Sequence, residues 1–144
     1  MHRGLLVTIV GIAGVAACGS ATEATERMDG TFPLVSVNDR AIPYDDGAVP
    51  PRPGVDSTCR ILLVRGRLRL DATAHSFSLS YDLLESCTGR ELGSSGSTGT
   101  FVQTGSRLSL TSELGEGKTD TRPATVRPNA IRVEDRYYVF EFSR

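Results

Sequence analysis

Few residues in this chain have the type and spacing to do chemistry. There are three cysteines, Cys18, Cys59 and Cys87, no tryptophan, and outside the first seventeen residues a single histidine, His75. His75 has no second His or Cys at metal-ligand spacing, and a turn histidine is expected. Asp45-Asp46-Gly47 could hold a cation through carboxylates, but the ligand alternation of calcium loops is missing and the run reads as a turn. Asp82 and Glu85 could act as an acid/base pair, yet nothing in the sequence places them in one cleft with separated pKa values. There is no G-x-S-x-G, and GSSGSTG (93–99) lacks the Gly-Lys-Ser/Thr of a phosphate loop. No catalysis, cofactor or metal is expected.

Cys18 stands apart from the other two thiols, at the end of an apolar run. Met1-His2-Arg3 is a short positive start, and Gly4 to Ala17 follow without a charge. A membrane-spanning helix needs about 20 apolar residues, so this stretch is too short. A positive start, a short apolar run and small residues before a break mark an export signal, residues 1–17. Val15-Ala16-Ala17-Cys18 resembles the lipobox of bacterial lipoproteins: a branched apolar residue, two small ones, then cysteine. The resemblance implies that Cys18 becomes the first mature residue and carries acyl chains, two or more of which hold a protein stably to a bilayer. Ordinary secretory cleavage near Ala17, leaving a free thiol, is the alternative. Gly19 rather than Asp after the cysteine resembles lipoproteins passed on to the outer membrane, which implies a cell-envelope location facing the periplasm or the cell surface.

Residues 18–29 are polar, small and aperiodic, the composition of a tether. Twelve such residues span roughly 17–21 Å as a coil and about 40 Å when stretched. Residues 30–144 are one domain's length. Without residues 1–17, 15 Lys or Arg stand against 17 Asp or Glu, a balance that excludes the basic surplus of a nucleic-acid binder.

The elements that must position these residues are strands. Thr31 to Val37 reads as a first strand ending in the Asn38-Asp39 turn pair, and Arg40 to Pro43 as a short return. Residues 44–58, rich in Pro, Gly and Asp, read as a long loop. Arg60 to Leu70 alternates Leu62, Val64, Leu68 and Leu70 against Arg65, Arg67 and Arg69; His75 to Ser86 alternates Phe77, Leu79, Tyr81 and Leu83 against Ser78, Ser80 and Asp82. Thr88 to Gly99 reads as a Gly/Ser loop. Thr100–Thr104 and Arg107–Ser112 flank Gly105-Ser106, which suits a type II′ turn with Phe101 facing Leu110 and Gln103 facing Leu108. Leu114 to Asp120 reads as a polar loop and Ala124 to Val133, broken by Pro128, as edge-like strand. From Arg136 onward Tyr138, Phe140 and Phe142 share a face with Ile131 and Val133. The tally is all-β: an antiparallel up-and-down meander of seven or eight strands closing into a small barrel.

Cys59 and Cys87 flank the long hairpin at equal distance from its bend, and an exported compartment permits their bond; two buried thiols are the other reading. Pairing 59 with 87 aligns odd residues with odd, whereas the apolar faces, even then odd, demand the other parity. One β-bulge reconciles the two, and Gly66 is the position expected for it; beyond the bulge Leu63 then meets Leu83. The arginine face of Arg65, Arg67 and Arg69 reads as a solvated surface partly neutralised by Asp82, in preference to a headgroup-binding patch. Pro50-Pro51-Arg52-Pro53 reads as a stiff linker rather than a recognition motif.

Residues 30–43 (GTFPLVSVNDRAIP), 99–111 (GTFVQTGSRLSLT) and 137–142 (YYVFEF) are similar to segments of the small lipocalin-like lipoproteins of bacteria, with Asp39 where those proteins have a turn glycine. The resemblance implies a barrel but no common ligand or reaction. Two functions follow. One is a structural or interaction lipoprotein with a solid core that meets an envelope protein through its loops. The other binds a small apolar ligand at the barrel mouth under the proline-rich loop. The inward set is Leu62, Val64, Leu68, Phe77, Leu79, Tyr81, Leu83, Phe101, Leu108, Leu110, Tyr138 and Phe140. It is bulky enough to fill an eight-stranded interior, and that favours the first.

Overall fold

Period-two alternation runs through nearly the whole chain, and the computed structural model, which describes residues 28–50, 56 and 58–144, turns it into ten strands. These are β1 (Gly30–Val37), β2 (Arg40–Ala41), β3 (Tyr44–Ala48), β4 (Arg60–Asp71), β5 (Ser76–Glu85), β6 (Glu91–Thr104), β7 (Arg107–Gly115), β8 (Lys118–Arg127), β9 (Ala130–Glu134) and β10 (Val139–Ser143). No helix occurs among the described residues. Strands β4 to β10 pair antiparallel with their chain neighbours, and β1 completes the ring by pairing with β10 on one side and β4 on the other. The result is a closed eight-stranded up-and-down barrel, compatible with a lipocalin-like fold, with β2 and β3 as additions. Closure is complete towards the end where β1 pairs with β4, whereas at the other end residues 91–98 of β6 and 118–123 of β8 have a strand neighbour on one side only.

Strand β1 is shared along its length. Its first half pairs with β4 (Gly30 with Leu70, Pro33 with Arg67); its end turns back through Asn38-Asp39 into β2. Both turn residues have positive φ, 50° and 62°, a conformation that Asn and Asp tolerate better than other L residues. Above Pro33 the two strands part, β3 takes over the vacated edge of β4, and Ile42 packs against the core between them.

Three stretches read as loops from their composition are ladders here. Residues 44–48 form β3, an edge strand whose register shifts between Asp45 and Gly47, so its turn-like residues fit as a bulge. The Gly/Ser run lies in the fourteen-residue β6, and residues 114–120 complete a β7–β8 hairpin around Glu116-Gly117, both at positive φ. The Gly105 hairpin has the expected register, Phe101 opposite Leu110 and Gln103 opposite Leu108, with Gly105 at φ 59°.

The barrel axis is filled. Phe32, Leu68, Leu70, Leu110, Ile131, Phe140 and Phe142 are the largest apolar side chains to be almost fully excluded from solvent. The chain enters at one end of this core: Met28, expected in the tether, is buried within it, and the Asp29 carboxylate accepts a hydrogen bond from the Ala72 N–H. We call this the tether end; it also carries the turns at 71–76, 104–107 and 127–130. The other end is the mouth. There β4, β5 and β6, of 12, 10 and 14 residues, outrun β9 and β10, of five each, so three strands project beyond the rim of the opposite wall.

Candidate functional site at the barrel mouth

Cys59 and Cys87 clasp this projection. Their disulfide is formed, Cα atoms 5.4 Å apart, and the bulge that the parity conflict demands is present. It lies between Leu63 and Arg65 rather than at Gly66, and beyond it Leu63 pairs with Leu83 as expected. Gly66 pairs regularly with Tyr81 and serves a different contact. A Cβ on Gly66 would stand 2.9–3.0 Å from the Leu34 side chain and 3.1 Å from the Ser80 carbonyl oxygen, so this glycine is there to let Leu34 cross the sheet. The bulge also corrects the inward set. Leu63, not Leu62 and Val64, enters the core; Leu62 and Val64 are half-buried and lie outside it.

Of the other residues expected to face inward, Leu68, Phe77, Leu79, Phe101, Leu108, Leu110 and Phe140 are core residues, while Tyr81, Leu83 and Tyr138 pack half-buried on its mouth-side edge. There they join an aromatic column along one wall. Tyr81 stacks on Phe140 with ring centroids 5.7 Å apart, and Tyr138 meets Tyr44 edge-on at 6.4 Å. Such pairs add about 0.5–1.5 kcal/mol beyond the area they bury.

The opposite wall is polar. On β8 Arg122 alternates with the inward Ala124 and Val126, so its stem faces the interior. Its Nε lies 2.9 Å from Asp120 and 3.5 Å from Asp135, and an Nη donates to Ser97 Oγ on β6 at 3.0 Å. The guanidinium thus spans from β8 past β7 to β6, closing the apolar core with a charged but fully engaged layer. Ser112 on β7 is buried beside it, and its hydroxyl has no partner among the described residues. The sequence carries a trace of this layer, since Arg122 has the parity of its inward neighbours.

Beyond that layer the projecting strands enclose a cleft of about 400 Å³, lined by Val49, Pro50, Ile61, Leu83 and Leu92 with Arg90 and Glu91 at its edge. Glu85 is 2% exposed here; its carboxylate accepts from Thr88 Oγ1 at 3.1 Å and from Arg90 at 3.2 Å, so the 85–90 turn satisfies the charge it buries. Asp82 faces the other way, to Arg65 at 3.1 Å and Ser94 at 2.7 Å, and the two carboxylates do not come together. Arg65 is therefore neutralised by Asp82 as expected. Asp45 binds Arg60 and the Gly47 N–H in a turn-like cap. Cys18 and Pro51-Arg52-Pro53 lie outside the described residues.

Tyr138 donates to Asp46 at 2.5 Å. That bond, then burial, then the Asp46 charge, disfavour the phenolate and raise the Tyr138 pKa well above its ordinary 10. The sign follows: the folded state keeps this proton at pH values where the unfolded chain has released it, so the contribution is whole below pH ~10 and declines above it. Stability should therefore fall as pH rises past 10, and Tyr138→Phe should flatten that slope in thermal melts between pH 9 and 11. An unchanged slope in the variant would assign the alkaline loss elsewhere.

Comparison with protein-family models, curated proteins and solved structures finds no match, so the functional reading rests on the geometry of the barrel and the residues before it.

Proposed function

We propose that this chain is a lipid-anchored protein of the cell envelope, in which Cys18 carries acyl chains after removal of residues 1–17 and the barrel has a structural or protein-interaction role, exercised at the mouth. No catalytic step is assigned to it. The observation that carries this reading is the filled axis: side chains from opposite walls occupy the interior, leaving the loops and the mouth to meet a partner. Two further features support it. The chain that leads back to Cys18 leaves from the end opposite the mouth, which turns the mouth away from an anchoring membrane, and the disulfide suits an oxidising compartment such as the periplasm.

The anchor is tested by metabolic labelling with radioactive palmitate. Wild type is expected to take up label and fractionate with outer membranes; Cys18→Ser is expected to do neither. Equal labelling of the two would refute the anchor.

A second reading is favoured by the mouth cleft, whose volume of about 400 Å³ reaches the range of small-molecule sites and whose lining is largely apolar. It is a shallower site than a barrel interior and suits a small apolar ligand. Native mass spectrometry of protein taken from its own membranes separates the readings: a bare mass is expected, and a lipid-sized adduct abolished by Leu83→Asp would establish the cleft as a binding site.

A further inference from the structure

Charge is distributed unevenly along the barrel axis. The mouth segments, residues 38–50, 56, 58–60, 85–91, 113–120 and 134–138, hold eleven Asp or Glu against five Lys or Arg. The tether end is reversed. Arg69, near the last residue of β4, Arg107, the first of β7, Arg127, the last of β8, and Arg144 stand there against Asp29 and Asp71. Both acids are occupied by backbone amides: Asp29 by Ala72, Asp71 by Thr73 and Ala74. Arg144 lies over the Phe32 ring and donates to the Asp29 carbonyl. Arg69, Arg107 and Arg127 are exposed and among the described residues none forms an ion pair, although Arg127 is near enough to Asp39 to help hold its carboxyl below the ordinary pKa.

We propose that this end is a docking surface for anionic lipid headgroups, with Arg69, Arg107 and Arg127 as the contacting groups and the barrel standing mouth-outward on the bilayer. The inference rests on the Cys18 anchor. The described chain starts at Met28 on this same end, ten residues from Cys18, so an anchored barrel has its basic end within a coil's reach of the headgroups. With residues 18–29 read from their composition as a tether, nine or ten residues of coil would span roughly 15–19 Å, which lets the rim touch the surface. Guanidinium groups suit phosphate oxygens, and basic residues are drawn to an anionic leaflet over about a Debye length. The acidic mouth is repelled by the same surface, so attraction and repulsion set one orientation together. Arg65, Arg67 and Arg69 share a strand face, but Arg65 is spent on Asp82 and Glu91, and the ring at the barrel end rather than that stripe carries the contact.

The test reconstitutes the full-length membrane-extracted protein into vesicles of phosphatidylcholine alone, or with roughly one-third phosphatidylglycerol, and follows backbone hydrogen exchange. The turns at 72–75, 104–107 and 127–130 should exchange several-fold more slowly on the anionic vesicles, while the turns at 115–118 and 134–138 stay unchanged. High salt should erase the difference, as should Arg69→Gln/Arg107→Gln/Arg127→Gln. Unaltered exchange at the mouth turns verifies that this variant is folded. Protein that floats with both vesicle types, yet exchanges identically at the tether-end turns, overturns the headgroup contact and leaves the anchor intact. Protein that floats with neither overturns the anchor, and the docking with it.

Discussion

Gly99→Ala is expected to lower stability by about 3 kcal/mol or more, a large loss for one methyl group added to a strand. A Cβ at Gly99 would sit 2.0 Å from the Thr111 carbonyl oxygen, 2.8 Å from its carbon and 2.9 Å from the Phe77 ring. Two of those three atoms are backbone, and no rotamer change moves them. Nor can Gly99 itself withdraw, because β6 is held in register on both sides, opposite Phe77 of β5 and Ser112 of β7. Relief requires opening one of the ladders. Gly96 is a second such point, where a Cβ would meet the Leu79 carbonyl oxygen at 2.2 Å. Thr98→Ala and Thr100→Ala, on the exposed face of the same strand, should stay within about 0.5 kcal/mol of wild type. Urea unfolding tests the contrast: Gly99→Ala should move the midpoint and not the slope. A wild-type midpoint in Gly99→Ala would mean that β6 does not run this close to its neighbours.

The same glycines explain why β6 is hard to find in the sequence. A strand is read from alternating bulk, and here Gly96 and Gly99 stand where neighbouring backbone leaves no room for a side chain, while Gly93, Ser95 and Ser97 supply little bulk of their own. Composition then mimics a flexible linker, although residues 93–98 pair with β5 and Gly99 pairs with both β5 and β7. β3 is hidden for another reason. An edge strand needs only one hydrogen-bonded side and tolerates a bulge, so Asp45-Asp46-Gly47 is compatible with pairing to β4 even though it reads as a turn. Where bulk does alternate, register follows: Phe140 opposite Val133, Phe142 opposite Ile131 and Phe101 opposite Leu110 all derive from simple parity and one tight turn. Parity also demands a bulge in β4 but does not place it, and the glycine that suggests itself, Gly66, answers instead to Leu34, a residue 32 positions away that no local pattern pairs with it.

The mouth is less legible than the barrel for a related reason. Arg122 shares the inward parity of Ala124 and Val126, but an arginine on a strand reads by default as surface. Only the convergence of Asp120, Ser97 and Asp135, from three different elements, makes its inward placement affordable. The ion pair of Asp39 and Arg132, 2.6 Å apart and 93 residues distant in sequence, is another contact of this kind. It holds the Asp39 carboxyl below its ordinary pKa and straps the β1–β2 turn to the outside of β9. Charge pairs of this sort are read from the closed barrel and not from spacing. What spacing does reveal is the β4–β5 hairpin, including the two cysteines at its ends.

Replacing that pair, Cys59→Ser/Cys87→Ser, is expected to reduce global stability by about 3–4 kcal/mol. The bond spans 28 residues, and the entropy it removes from the unfolded chain has that magnitude. A second, local effect should accompany it. The projecting ends of β4, β5 and β6 have no opposite wall, since β9 and β10 stop short, and they border the cleft lined by Val49, Ile61, Leu83 and Leu92. Without the clasp the 85–90 turn is held by the Glu85 contacts to Thr88 and Arg90 and by a few backbone bonds, among them Ser86 N–H to the Arg60 carbonyl. Glu85 gains hydration on opening, which favours release of this segment before the barrel. Amide exchange at 85–90 should therefore rise more steeply with denaturant-free time than exchange at Phe140 or Ile131. Cys87→Ser alone gives an independent readout: Cys59 is 2% exposed, so alkylation of its thiol under native conditions requires the mouth to open. If Cys59 stays unreactive and the urea midpoint of the double variant matches wild type, the projection is held by packing alone, and the mouth does not depend on an oxidising compartment.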